Sequence, residues 1–239
     1  MRRGALAALA LLPLLGGCDG PWSEDSSRIE TARDFPPADR PVAPTVSTKW
    51  STEEARDRVN EAEDVMDSAD VRPGMTVADI GAGDGYYTVR LAQRVGAAGR
   101  VLAQDIIPEV IERLADRVAR ERLDNVSLKL GAVDDPRLPA ASFDRVFMVH
   151  MYHEIGEPYA FLWRLRPALR EGGHVIVVDG DRPIAQHGTP FRLLVCEFEA
   201  VGYKLVSYDD KQHAGGYLAR FVPEGERPAP DAIQVCDNP

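Results

Sequence analysis

Between Val77 and Tyr86 the chain reads Val77-Ala78-Asp79-Ile80-Gly81-Ala82-Gly83-Asp84-Gly85-Tyr86, an apolar run with one acid followed by glycine at every second position. The next dozen residues have helical character. A strand that runs through a glycine turn into a helix is a ligand-binding device. Glycine takes φ > 0 and lets the backbone approach a ligand closely, and a helix start offers unpaired N–H groups.

The residues around this stretch alternate in type. Apolar runs at Met75–Ile80, Arg100–Asp105, Val126–Leu130, Phe143–Val149 and His174–Asp179 read as strands. Helical segments follow at Asp84–Val95, Pro108–Arg122 and Pro158–Arg170, with Pro108 placed for a first turn. This rhythm predicts a doubly wound parallel sheet with helices on both faces. After a helix over Phe191–Val201 come two strands, Tyr203–Tyr208 and Tyr217–Val222. Their connection is too short for a parallel crossover, so they are expected to be antiparallel neighbours. Upstream, Ala55, Val59, Ala62 and Met66 fall at helical spacing, which predicts one amphipathic helix over Thr52–Ala69 with a solvated charged face.

The dinucleotide fingerprint needs its third glycine three residues after the second. Here Gly85 comes two after Gly83, and Tyr86 stands where that glycine would be; no phosphate-loop pattern occurs either. The run Asp79–Gly85 instead resembles the first motif of the class I S-adenosylmethionine-dependent methyltransferases. Further stretches resemble that family in order: Asp105 closing the second strand, Gly131-Ala132-Val133-Asp134 after the third, Ser142-Phe143-Asp144-Arg145-Val146 opening the fourth, and Leu169-Arg170-Glu171-Gly172-Gly173 before the fifth. The likeness covers about Thr52 to Val222.

The resemblance implies a Rossmann-like, mostly parallel seven-stranded sheet with an antiparallel last strand, and S-adenosyl-L-methionine as cofactor. It places Asp79, Gly81, Ala82, Gly83 and Gly85 around the amino acid part, Asp105 and Ile106 at the ribose, Ala132 and Val133 at the adenine, and His150 beside the cofactor. Where the family often carries an acid after the third strand's glycine, this chain has Ala132. Backbone at Ala132–Val133 or the side chain of Asp134 could serve instead. The chemistry is consistent, since a sulfonium cation without phosphates needs carboxylates and close backbone, not a basic cradle.

Methyl transfer requires a nucleophile held in line and sometimes stripped of its proton. Two of the chain's five histidines stand in His150-Met151-Tyr152-His153-Glu154, at the exit of the fourth strand. His150 and His153 are therefore the candidate bases, with positioning of the acceptor as the other role. His150, His153, Asp179 and Asp181 could meet, but no recognised ligand spacing links them, and no metal is expected.

The first residues suggest export. Met1-Arg2-Arg3 precedes a short apolar run, as in secretory signals. That run ends in Leu15-Gly16-Gly17-Cys18, which resembles the lipobox of bacterial lipoproteins and implies lipidation of Cys18. Asp19 resembles an inner-membrane retention signal. Expected boundaries are a signal peptide over 1–17, a Pro- and Ser-rich flexible tether over 18–50, the folded domain over 51–223 and a Pro-rich tail over 224–239. The expected location is the bacterial envelope, on the periplasmic side of the inner membrane. Outside the cytoplasm Cys196 and Cys236 can pair, or Cys196 can be a buried free thiol and Cys236 a mobile one.

A net charge of -10 without any basic block argues against nucleic acid as partner. The expected function is an exported, membrane-tethered methyltransferase with a small-molecule acceptor. The alternative is a lipoprotein that binds the same cofactor without catalysis.

Overall fold

The computed structural model describes residues 27–45 and 51–237. The signal peptide, Cys18 and Asp19 lie outside the described residues.

A short helix α1 (Glu53–Arg58) is followed by α2 (Glu61–Ser68), β1 (Thr76–Ile80), α3 (Tyr86–Val95), β2 (Arg100–Asp105), α4 (Pro108–Glu121), β3 (Val126–Leu130) and β4 (Phe143–Val149). Then come α5 (Pro158–Leu165), β5 (Leu169–Asp179), α6 (Phe191–Ala200), β6 (Tyr203–Lys211) and β7 (Gly216–Pro223). The seven strands form one sheet in the order β3-β2-β1-β4-β5-β7-β6. All neighbours pair in parallel up to β5, and β7 runs antiparallel to both β5 and β6. The expected doubly wound architecture is thus the observed one.

Successive residues of the central strands feed opposite faces. Val146 and Met148 of β4 enter one apolar core with α5 and α6, whereas Phe147 enters the other with α2 and α3. Val175 and Val177 against Ile176 and Val178 repeat this division in β5. Burial on both sides is why these strands read as unbroken apolar runs.

Three expectations need correction. The single helix over Thr52–Ala69 is two, because Asn60 takes a left-handed conformation (φ +56°) between them. Asparagine tolerates that region better than most residues. Val59 accordingly turns to solvent instead of joining a buried stripe. The helix expected to reach Arg170 stops at Leu165, because Pro167 has no N–H to donate and cannot continue it; Leu169 already pairs with Phe143 in the sheet.

The tether reading fails over residues 27–45. Ala32, Phe35 and Ala43 are buried, and Phe35 meets Trp163 of α5 edge-on with ring centroids 5.4 Å apart. Arg40 pairs with Glu197 of α6 in the interior at 2.7 Å. The few apolar residues of this segment suffice because they borrow a core built by the domain. The tail is also held: Cys236 is disulfide-bonded to Cys196, and its backbone N–H donates to the Tyr159 hydroxyl at 2.7 Å.

Candidate cofactor and acceptor site

The strand order turns direction between β1 and β4, and in open α/β sheets ligands bind beyond the strand ends at that point. A cavity of about 610 Å³ lies there. Such a volume suits a small molecule of cofactor size. Asp79, Gly81, Ala82, Gly83, Asp105, Ile106, Ala132, Val133 and His150 all line it.

The glycine turn is locked into shape. Gly83 adopts φ +54°, and a Cβ added there would stand in open space. The Asp105 carboxylate accepts the N–H of Gly83 through Oδ2 and that of Ile107 through Oδ1, each at 3.1 Å. Gly85 does not face the cavity. At φ +88°, it starts α3, and a Cβ there would come within 2.5 Å of Leu114, so it serves close packing of α4.

Asp79 is buried and accepts a hydrogen bond from the Thr88 hydroxyl at 2.6 Å. Loss of hydration raises its pKa to about 6, and the nearby Asp105 charge adds to the rise, while Thr88 and Arg56 oppose it. A cation in the cavity would favour the ionised form. Of the two candidates after the third strand, Asp134 has its carboxylate bonded by the Thr31 hydroxyl and paired with Arg164. Ala132 and Val133 remain on the cavity wall.

The two histidines part company. His150 lines the cavity at φ +54°, its Nε2 3.8 Å from Glu61. His153 is buried outside the cavity wall, with Nδ1 3.0 Å from Asp179. It is therefore corrected as a base for a substrate in this cavity: a neighbour in sequence has become a different environment because residues 152–154 form a tight helical turn.

Sequence reading missed Arg56. The charged face it belongs to is expected to be solvated, but Arg56 lines the cavity and binds both oxygens of Glu61 through Nε at 3.1 Å. It also lies 3.8 Å from the Tyr86 ring centroid, with Arg90 at 3.8 Å from the same ring. Burial alone would raise the pKa of Glu61, but His150 and Arg56 override it and hold the carboxylate down to about 2. Nothing in the sequence marks this, since the inward turn of Arg56 depends on the break at Asn60.

Around a largely apolar cavity the described residues thus set Glu53, Asp79, Asp84, Asp105 and Glu154 against the cation of Arg56. Residues 77–173 match a family described as a methyltransferase domain. This stretch is a methyltransferase domain. A protein-L-isoaspartate O-methyltransferase from Methanothrix thermoacetophila is 33% identical over 116 residues, 48% of this chain and 52% of that protein. The ubiquinone/menaquinone biosynthesis C-methyltransferase UbiE of Bordetella avium is 33% identical over 174 residues, 71% of this chain and 63% of its own length. The chain spans about half, or less, of several curated relatives it matches.

A solved S-adenosylmethionine-dependent methyltransferase from Aquifex aeolicus superposes with TM-score 0.63 at 24% identity, covering 70% of this chain and 90% of that one. At that identity the likeness concerns the fold, which is that of S-adenosylmethionine-dependent methyltransferases. The cofactor that belongs to this domain is S-adenosylmethionine. The donor set among the described residues fits it: carboxylates for a sulfonium, an ammonium and ribose hydroxyls, and the Arg56 guanidinium for a carboxylate.

Proposed function

We propose that the chain is an S-adenosylmethionine-dependent methyltransferase that acts on a small acceptor, exported and anchored through Cys18 on the periplasmic side of the inner membrane. The observation that carries the catalytic part is the convergence of Asp79, the Gly83 turn and Asp105 on one cavity at the β1/β4 switch. When bound, the cofactor supplies an electrophilic methyl group on sulfur. Asp105 is placed to accept the ribose hydroxyls while keeping the glycine turn in shape. Asp79 and Arg56 offer opposite charges to the two ends of an amino acid. Ala132 and Val133 give an apolar wall for the adenine. His150 is the group placed to take a proton from the acceptor at a ring nitrogen, with Glu61 stabilising the imidazolium that results.

Export is supported by the Arg2-Arg3 start, the Leu15-Gly16-Gly17-Cys18 run and the Cys196–Cys236 disulfide, a bond favoured in oxidising compartments. The same features favour a second reading, a lipoprotein that binds the cofactor without transferring methyl, because this cofactor is made in the cytoplasm. Fold alone does not decide between them. The [4+2]-cyclase SpnF, at 16% identity, shares the fold with TM-score 0.60 over 82% of this chain and 91% of its own.

Titration calorimetry with S-adenosylmethionine and with nicotinamide dinucleotides tests the central claim; binding of the first alone is expected, and no affinity for it would refute the reading. A methyl-transfer screen over small O-, N- and S-nucleophiles then separates enzyme from binder. In the enzyme, His150→Ala is expected to lower turnover more than cofactor affinity.

A further inference from the structure

We infer that His153, Glu154 and His187 form a binding site for a divalent transition-metal ion of the zinc type. One ligand atom from each of the three lies within 4.8 Å of the other two. The two imidazoles meet edge-on, with ring centroids 5.6 Å apart and planes at 80°. His153 leaves the exit of β4, and His187 arrives from the loop after β5, so the strand order brings them together across a long stretch of chain.

The tautomer of His153 favours coordination. Its Nδ1 faces both oxygens of the fully buried Asp179, at 3.0 and 3.1 Å. Those oxygens also accept the N–H of Gly180 at 2.8 Å and the Thr189 hydroxyl at 2.7 Å. A carboxylate surrounded by donors in this way is an acceptor, which puts the imidazole proton on Nδ1 and the lone pair on Nε2. A carboxylate behind a histidine is the usual device for aiming and strengthening a metal-binding imidazole.

The loop that presents His187 is equally fixed. His187 sits at φ +55°, and Arg182 donates to the carbonyls of Gln186 and His187 at 2.9 and 2.8 Å. A side chain at Gly188 would collide with Arg182 Cγ at 2.4 Å. Strained backbone persists where surrounding structure holds it, often for a ligand.

Two imidazoles and one carboxylate are a zinc donor set that leaves a coordination position open. Bonds of about 2.0–2.1 Å in tetrahedral geometry set ligand atoms about 3.4 Å apart. Glu154 and His187 are half-buried, and binding would draw the three ligand atoms in from the 4.8 Å within which they lie. Glu154 also lines the cofactor cavity, so the ion would border it. Metal binding here does not depend on methyl transfer, and it departs from the expectation of no metal because sequence spacing does not show His187 reaching His153.

The test uses the full chain with its disulfide intact, stripped with chelator and titrated with ZnCl2 by calorimetry and with CoCl2 by absorption. One saturable equivalent is expected, with the visible band of tetrahedral cobalt. His187→Ala and Glu154→Gln should each lower zinc affinity at least 10-fold and remove the band. Asp179→Asn should lower affinity about 10- to 100-fold, as loss of an aiming carboxylate does. His213→Ala, whose ring pairs with Asp64 on the surface at 2.9 Å, should leave affinity unchanged. Absence of a saturable equivalent, unchanged affinity in His187→Ala, or loss of binding in His213→Ala would overturn the site.

Discussion

Asp105 Oδ2 accepts the backbone N–H of Gly83 at 3.1 Å, tying the end of β2 to the glycine turn that follows β1. One carboxylate thereby shapes the turn and still faces the cavity. Asp105→Asn keeps the size but replaces one acceptor oxygen with a donor, leaving Gly83 or Ile107 unsatisfied. S-adenosylmethionine affinity is expected to fall at least 10-fold, about 1.4 kcal/mol. Calorimetry on the two proteins checks this, and equal affinities would deny Asp105 its role.

Asp79 sets a pH dependence of the opposite sense to most carboxylates. Its folded pKa is raised to about 6 by burial, above the unfolded range, so the fold binds its proton more tightly than the unfolded chain does. Its contribution to stability is present at low pH and is lost as pH rises from about 4 to about 6, by roughly 3 kcal/mol. Asp79→Asn should remove that loss. Urea unfolding is expected to show the variant gaining on the parent between pH 4 and pH 8, while its cofactor affinity drops. In the parent, affinity for a cationic ligand should weaken below pH 6. A variant equally destabilised at both pH values would contradict the assignment.

The sheet and the glycine turn were legible because their signals are local. Period, turn residues and strand spacing lie within a few positions of Val77–Tyr86. What escaped was decided by distant partners. Arg56 becomes a cavity residue only because Asn60 breaks the helix and Glu61 swings under it. His153 and His150 look equivalent three residues apart, yet Asp179 of β5, itself held by the Thr189 hydroxyl, claims one of them. Residues 27–45 have the composition of a linker, and only the groove beside α5 and α6 makes them part of the core.

The Cys196–Cys236 bond closes a loop of 40 residues, worth about 4 kcal/mol by the chain-entropy estimate. Cys236→Ser should lower the midpoint of thermal unfolding by roughly 10 °C, at about 2–4 °C per kcal/mol for a domain of this size. Reduced parent should match the variant. Unreduced, unfolded parent should yield no free thiol from these two positions; two thiols there would exclude the bond.

Arg40 is the residue on which the N-terminal segment turns. Its Nε donates to Glu197 Oε1 at 2.7 Å and its Nη2 to the Ile155 carbonyl at 3.0 Å, while the Tyr152 hydroxyl donates to Glu197 Oε2 at 2.7 Å. Removing one partner of such a pair strands a buried charge, at a cost of about 3–5 kcal/mol. Arg40→Met should destabilise by that much, because Tyr152 alone remains to solvate Glu197. The double variant Arg40→Met, Glu197→Gln keeps an acceptor for Tyr152 and carries no stranded charge. It should recover more than half of the loss in urea unfolding. Ala43 donates its N–H to the His153 carbonyl at 3.0 Å, so the single variant should also loosen residues 33–45 from the β4 exit. Limited proteolysis is expected to cut there in Arg40→Met and not in the double variant. Equal losses in both proteins would mean that the guanidinium acts through packing, not by neutralising Glu197.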